Sequence, residues 1–139
     1  MFDKERINHI IEDIEMYLKK LEDRKIKSAN DLDDLNYYAC SMILFSILNR
    51  VIDLGDEIVK AKKLGYPMEI KEIFSLLFDK EIIDKKLGEK MKDFVRDRNK
   101  FSHRYGAIKR DDVLRLIREM VFVRKFVSKI VGYIKNESL

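Results

Sequence analysis

The fold is decided by the stretch LNYYACSMILFSILNRVIDLGDEIV, residues 35–59. A helix drawn through its middle is apolar on nearly every side, whereas a helix at the surface of a bundle shows a single apolar stripe. Such a helix has to be buried on more than one side. Asn30 is a plausible cap before it, and Gly65 and Pro67 end it. The sequence therefore predicts a long helix, from about residue 31 to residue 64, that is buried on more than one side, either within the bundle or in a dimer.

Shorter amphipathic segments on both sides predict the helices that cover the central one. Their apolar residues recur at intervals of three and four, and most of them start at an acidic residue able to cap a helix. In chain order they are a helix capped by Asp3, a short helix over residues 71–78, a helix capped by Asp84 that ends or distorts near His103, and a helix opened by Asp111 or Asp112. The predicted fold class is all-α, an antiparallel bundle of four or five helices in a single domain, residues 1–139.

The composition excludes several classes of protein. Hydrophobic residues make up 46% of the 139 residues and charged residues 39%, which is too apolar for a disordered chain. Five glycines and one proline are too few turn formers for an all-β fold. The longest charge-free stretch, residues 35–49, is shorter than the roughly 20 residues of a membrane span. Charges also interrupt the N-terminus where a signal peptide needs its apolar core, so we expect a cytoplasmic protein without a membrane partner.

The chain contains few cysteine and histidine residues, the types that most often react or bind metals. Cys40 is the one cysteine, so neither a disulfide within the chain nor a cysteine metal cluster is expected. A buried, inert Cys40 is favoured over a reactive thiol, because it lies in a predicted helix. Of the two histidines, His9 falls off the apolar face of the first helix and is expected in solvent. No metal site and no cofactor is predicted.

Basic residues are concentrated in one part of the chain. Residues 90–110 contain eight Lys and Arg but only two Asp and no Glu, a formal charge of +6, whereas the whole chain carries +4. The rest of the chain is therefore slightly acidic. A local surplus of this kind suits a partner that bears phosphate groups, although a solvated helix face would give the same pattern.

The basic region contains RNKFSHRY, residues 98–105. Arg98 continues the apolar stripe of the fourth helix that starts at Leu87, and an unpaired guanidinium in such a place is costly to desolvate. An anion has to meet it. Asp93, Asp97 or an acid on another helix is one possible partner, and a bound ligand is the other.

His103 gives this segment the elements of a catalytic site. Five residues of ideal helix would turn it about 140° away from Arg98, yet a distorted helix end allows both to reach one cleft. A histidine can take a proton from a ribose 2′-hydroxyl or give one to a leaving 5′-oxygen, and an arginine can hold the phosphate between them. With a single suitable histidine, a second acid or base has to come from elsewhere. A twofold dimer that faces two copies of His103 across one groove would supply it.

The motif resembles a known family. Arg98, His103 and Tyr105 match R-x-x-x-x-H-x-Y, the signature of the HepT toxins in the HEPN superfamily, and Asn99 fits the polar residue that commonly follows the Arg there. The stretch YYACSMILFSILNRVIDLGDEIVKAKKLGYP is similar to the family's second helix. EIFSLLFDKEIIDKKLGEKMKDFVRDRN resembles the region that leads to its motif. The resemblance thus covers nearly the whole chain.

The resemblance implies a homodimeric endoribonuclease that acts without a metal, encoded beside an MntA-type nucleotidyltransferase antitoxin. It implies that Arg98 and His103 are catalytic and that Asn99 supports the site. It also implies that Tyr105 is where the antitoxin attaches AMP from ATP. AMP at this position would place negative charge and bulk two residues from His103 and so repel RNA.

Four further residues complete the expected site. Arg96, Lys100 and Arg104 are predicted to contact the RNA, although Arg104 is as readily incidental. Asp53 matches an acidic position of the family's second helix, where it either orients Arg98 or His103 or is an ordinary exposed acid. Tyr37 and Tyr38 are adjacent, so at most one points inward.

The main alternative function is a non-catalytic helical protein that docks onto a minimal nucleotidyltransferase and presents Tyr105 or a nucleotide-binding surface to it. A dimeric scaffold whose motif is no longer used is a second alternative.

Overall fold

A computed structural model describes residues 2–103 and 108–137, with only the backbone of His103. The predicted Arg104 and Tyr105 lie outside the described residues. The described chain forms five α-helices and no strand, so the predicted all-α class is confirmed. The helices are α1 Lys4–Asp23, α2 Asp34–Ala61, α3 Glu72–Asp79, α4 Lys85–His103 and α5 Arg110–Glu137, with a short 3-10 turn at Ala29–Asp31.

Two of the predicted caps are confirmed and one is wrong. The Asp3 carboxylate accepts a hydrogen bond from the Arg6 backbone at 3.1 Å, and that of Asp84 accepts one from the Leu87 backbone at 2.8 Å. Asn30 does not cap α2. It lies within the 3-10 turn, and Asp33 caps the helix instead. The first free backbone N–H groups of a helix are satisfied by the side chain of the residue directly before it. Because α2 begins three residues later than predicted, that residue is Asp33 rather than Asn30.

The ends of α2 and the start of α5 also differ slightly from the prediction. α2 ends at Ala61 rather than Leu64, because the chain turns at Lys63, which adopts a positive φ of 52°. The Leu64 backbone then donates to the Val59 carbonyl at 3.0 Å and closes the turn. α5 begins at Arg110, one residue before the predicted Asp111.

α2 is the central helix of the bundle, and the predicted burial on more than one side is found within the chain itself. It contacts each of the other four helices. Its inward side chains, such as Leu44, Ile47, Leu54 and Ile58, are completely buried, and so is Cys40. By length and composition α2 is the one helix in the described part of the chain that could cross a membrane. Packing within the bundle explains why α2 is apolar on nearly every side.

One side of α2 stays uncovered near its start. Leu35, Tyr38 and Met42 are 69%, 67% and 71% exposed. They recur at steps of three and four and therefore form a stripe along one helix face. We call these three residues the apolar stripe. The burial predicted for the central helix is thus incomplete along its first two turns.

α3 packs against the C-terminal half of α2 at a glycine. A Cβ atom placed on Gly55 would lie 2.9 Å from Ile73 Cγ2 and 3.3 Å from Phe74 Cε1, both on α3. Phe74 in turn packs on Phe126 of α5, with ring centroids 5.6 Å apart. Gly55 therefore allows α3 to approach α2 closely and to reach α5.

We expect Gly55→Ala to lower the free energy of unfolding by about 1–3 kcal/mol, because the added methyl overpacks the contact with Ile73. Gly132→Ala is the matched control. Gly132 is also helical, but no atom lies within 4 Å of an added Cβ, so alanine there should raise stability by about 0.5–1 kcal/mol. Urea titration of both variants measures the two effects. Equal stabilisation by both alanines would contradict the close approach of α3.

Candidate active site

Arg98 lies where α4 crosses α2. Its Nε donates a hydrogen bond to Asn49 Oδ1 at 2.9 Å, and its Nη1 donates one to Asn99 Oδ1 at 2.9 Å. The Arg98 side chain is half-buried. Leu87 and Met91, which lie on the same face of α4, are buried as the spacing predicts. The guanidinium is therefore held from two sides by amide oxygens.

The carboxylates expected to neutralise Arg98 are used elsewhere. Asp97 is 5% exposed, and its two oxygens accept from the Arg115 guanidinium at 2.9 and 3.2 Å. Asp93 pairs with Arg96. Within residues 2–103 and 108–137 no carboxylate pairs with Arg98. The Arg98 guanidinium is held in place by two neutral amides, so its positive charge stays available to an anion.

The Asp97–Arg115 pair fixes α4 to α5 directly beside the site. Arg115 also donates to Glu119 at 2.7 Å. The hydrogen bonds that Arg115 donates to Asp97 are the main cause that raises the pKa of the Arg115 guanidinium above its ordinary value, against the opposing effect of burial. Because Asp97 and Arg98 are neighbours in one helix, this pair also restricts how α4 can rotate over α2.

Asn49 is a site residue that sequence reasoning missed. Asp53, the acid predicted on this helix, lies one turn further on and pairs with Arg50 at 3.1 Å. Arg50 also binds Asp13 of α1 at 2.6 Å, so this cluster joins α1 to α2 and does not contact Arg98. The sequence does carry one indication of Asn49, because it is a polar amide at the end of the charge-free stretch of residues 35–49.

Asn49 shares a helix face with the apolar stripe. Helical geometry places Leu35, Tyr38, Met42, Phe45 and Asn49 within an arc of about 80° around α2. The rings of Phe45 and Phe101 of α4 pack in a tilted arrangement at a centroid distance of 5.9 Å, one turn from the Asn49–Arg98 contact. The uncovered apolar surface therefore leads along α2 directly to Arg98.

The chain on the far side of the motif is tied to the start of α2. The Tyr37 hydroxyl donates to the carbonyl of Ile108, which is buried. Arg110 lies over the Tyr37 ring at 4.8 Å, donates to the Leu32 carbonyl at 3.2 Å and pairs with Asp34. Both flanks of the motif thus rest on α2. As expected, one of the two adjacent tyrosines points inward.

The predicted RNA-contacting residues differ in their surroundings. Arg96 and Lys100 are exposed, and Arg96 pairs with Asp93. Several other cations of the basic region also meet carboxylates: Lys90 meets Glu119 at 2.5 Å, and Lys92 meets Glu89 at 3.8 Å. Much of the surplus in residues 90–110 is therefore compensated by folding.

The remaining candidate residues lie as follows. His103 is the last described residue of α4, five positions after Arg98, and the residues that would show the predicted end or distortion of this helix lie outside the described ranges. His9 is exposed and Cys40 is buried, as expected. Burial raises the pKa of the Cys40 thiol, which favours its unreactive form. No group of three or more potential metal ligands occurs in the described residues.

Comparison with known proteins identifies the family. The family model of HepT-like ribonucleases matches residues 7–130. The chain belongs to the HepT-like ribonuclease family. A comparison with curated proteins finds no match.

Solved structures share the fold of this HepT-like protein. YutE from Bacillus subtilis, described as a cytosolic protein of unknown function, superposes with a TM-score of 0.87 at 18% identity, over 99% of this chain and 95% of YutE. The tri-AMPylated HEPN toxin of Shewanella oneidensis, in complex with an MNT antitoxin, gives 0.84 at 22% identity, over 95% and 99%. A toxin–antitoxin structure with AMP-PNP gives 0.83 at 21% identity, over 91% and 97%.

For this HepT-like protein we predict that Asn49→Asp raises the KM for RNA by about tenfold, because a carboxylate in place of the amide neutralises the guanidinium that an anion would otherwise meet. Asn36→Asp is the matched control, the same change on the same helix about 20 Å away along its axis. Cleavage of a labelled RNA at varied concentration measures the effect. Equal KM values for the two variants would show that the neutral Asn49 contact is not what keeps Arg98 available.

Proposed function

We propose that this chain is the toxin of a toxin–antitoxin pair and cleaves RNA without a metal. Arg98, fixed by Asn49 and Asn99 with no carboxylate partner among the described residues, is the observation that carries the proposal. Membership of the HepT-like ribonuclease family supports the type of reaction. The protein acts in the cytoplasm, where its RNA substrate is.

Cleavage proceeds by attack of a ribose 2′-hydroxyl on the adjacent phosphorus. The 2′-oxygen forms the new bond, the bond to the 5′-oxygen breaks, and the products are a 2′,3′-cyclic phosphate and a 5′-hydroxyl. Arg98 binds the scissile phosphate and offsets the charge that develops on its oxygens. Asn99 supports the guanidinium. His103 transfers a proton, either from the 2′-hydroxyl or to the leaving oxygen.

The second proton-transfer group comes from another copy of the chain. Each protomer offers one histidine in the motif, whereas the reaction needs both an acid and a base. A twofold axis beside the end of α4 brings two motifs to one groove. The apolar stripe supports this arrangement, because it lies on the helix face that carries Asn49 and needs a cover that the monomer lacks.

Exposed cations near the motif guide the RNA. Lys100 is exposed and forms no ion pair with a described residue, so we assign it to phosphate contacts together with Arg96 and Arg104. Arg96 has to share its charge with Asp93, which makes it the weaker of the two described contacts. Asp53 acts at a distance: with Arg50 and Asp13 it fixes the part of α2 that carries Asn49.

A nucleotidyltransferase antitoxin of the MntA type silences the toxin by attaching AMP to Tyr105. The HEPN toxin of Shewanella oneidensis is tri-AMPylated and in complex with an MNT antitoxin, and its fold matches this one. Negative phosphate two residues from His103 repels RNA from the groove that Arg98 makes attractive. The reaction consumes ATP and releases pyrophosphate as the tyrosine oxygen takes the AMP group.

We expect Arg98→Ala and His103→Ala each to slow RNA cleavage by about 10²–10⁴-fold, because one removes charge stabilisation and the other proton transfer. His9→Ala, at the exposed second histidine, is the control and should cleave at the rate of the unsubstituted chain. Gel analysis of a labelled RNA in EDTA-treated buffer measures all three rates.

Cleavage by both motif variants at the unsubstituted rate would contradict the proposed mechanism. A chain that cleaves no RNA but gains AMP on Tyr105 from ATP and the partner nucleotidyltransferase would instead favour a non-catalytic binding partner. Mass spectrometry of the incubated protein separates these two cases.

A further inference from the structure

A second cationic site lies between the N-terminal half of α4 and the middle of α5. A cavity of about 190 Å³ opens to solvent there. It is much larger than the roughly 30 Å³ occupied by one water molecule. Its lining includes Lys86 and Leu87 of α4 and Phe122, Lys125 and Lys129 of α5. We call this cavity the lysine cleft.

Three lysines line the lysine cleft, and together with Lys90 they form two pairs, each spaced four residues apart on its helix. Lys86 and Lys90 stand on α4, and Lys125 and Lys129 stand on α5. Like charges at this spacing repel each other along a helix surface. Lys90 is offset by Glu119, at 2.5 Å. The other three form no ion pair with any carboxylate in the described ranges.

Phe122 is the common neighbour of these lysines. The ammonium groups of Lys86, Lys90 and Lys125 lie 6.0, 5.2 and 5.3 Å from the centroid of its ring. The ring is half-buried, so part of it faces the lysine cleft. A half-exposed aromatic ring among several ammonium groups offers both a stacking surface and positive charge.

This combination matches one class of ligand best. A single strand of nucleic acid presents phosphates to cations and flat bases to aromatic rings in alternation. Inorganic phosphate alone would leave the exposed part of the Phe122 ring without a stacking partner. Among the described residues, Asp84 is the one acid that lines the lysine cleft, and its carboxylate caps α4 by accepting from the Leu87 backbone.

We propose that the lysine cleft binds single-stranded RNA as an anchoring site separate from Arg98. Phosphates contact Lys86, Lys125 and Lys129, and a base packs on Phe122. The identity of the strand as RNA rests on the proposed function. Lys86 precedes Arg98 by twelve residues, about 18 Å along α4 and about 120° around it. A strand of several nucleotides that follows the surface of α4 would therefore connect the two sites.

The test uses binding alone. A labelled single-stranded 2′-O-methyl RNA has no free 2′-hydroxyl and is not cut, so its dissociation constant is independent of catalysis. We expect Lys86→Glu with Lys125→Glu to weaken binding on the order of tenfold or more, and to lower the slope of log affinity against log salt by about 0.7 for each lost phosphate contact. Fluorescence anisotropy at several salt concentrations measures both quantities.

Lys20→Glu with Lys135→Glu is the matched control. These lysines are exposed, lie on α1 and α5 away from the lysine cleft, and change the net charge equally. The control should bind within about twofold of the unsubstituted chain. Phe122→Leu, which keeps an apolar side chain, should weaken binding without changing the salt slope, because it removes only the stacking surface.

Equal affinities and equal salt slopes for the Lys86/Lys125 and Lys20/Lys135 variants would overturn the proposal. Loss of binding to an acidic protein partner with RNA affinity retained would also overturn it, in favour of a protein interface. Failure of the proposed catalysis looks different: the Arg98 and His103 variants would then cleave normally while the lysine cleft still bound RNA.

Discussion

The structure depends on the need to cover α2. A helix that is apolar on nearly every side cannot stay in water, so the other four helices are arranged around it, and its inward residues are fully buried. Gly55 brings α3 close enough to take part in this cover. The cover stops short of the helix start, where the apolar stripe remains exposed. Burial of α2 thus explains the arrangement of the bundle, and the part of α2 that the bundle does not bury is the apolar stripe.

The same helix explains why Arg98 is available for chemistry. A half-buried guanidinium normally attracts a carboxylate, and α4 offers two candidates in Asp93 and Asp97. Both are engaged by other arginines, while α2 presents the neutral Asn49 instead. The arginine is therefore fixed in orientation and keeps its charge. A site of this kind is preorganised for an anion, because its position does not depend on the substrate.

The parts that could be predicted from the sequence are those set by local interactions. The five helices follow from apolar periodicity, and Asp3 and Asp84 cap their helices through backbone groups three residues away. Spacing alone places Arg98 on the apolar face of α4. Its partner Asn49 is 49 residues away, and the contact depends on how α4 crosses α2, which no local pattern reveals. Asp53, the acid that the sequence favours, is on the right helix but one turn from the contact. Charge counting has the same limit, since Glu119 and Asp34 neutralise cations far from them in the sequence.

The central claim is that a second copy of the chain covers the apolar stripe and completes the site. The most direct measurement is the mass in solution, by light scattering, together with RNA cleavage, for Met42→Glu and its control Met68→Glu, at a methionine that is 88% exposed outside the stripe. The account predicts twice the chain mass of 16.6 kDa and full cleavage for the Met68 variant, and a monomer without cleavage for the Met42 variant. A monomeric Met42 variant that cleaves RNA at the unsubstituted rate would contradict it.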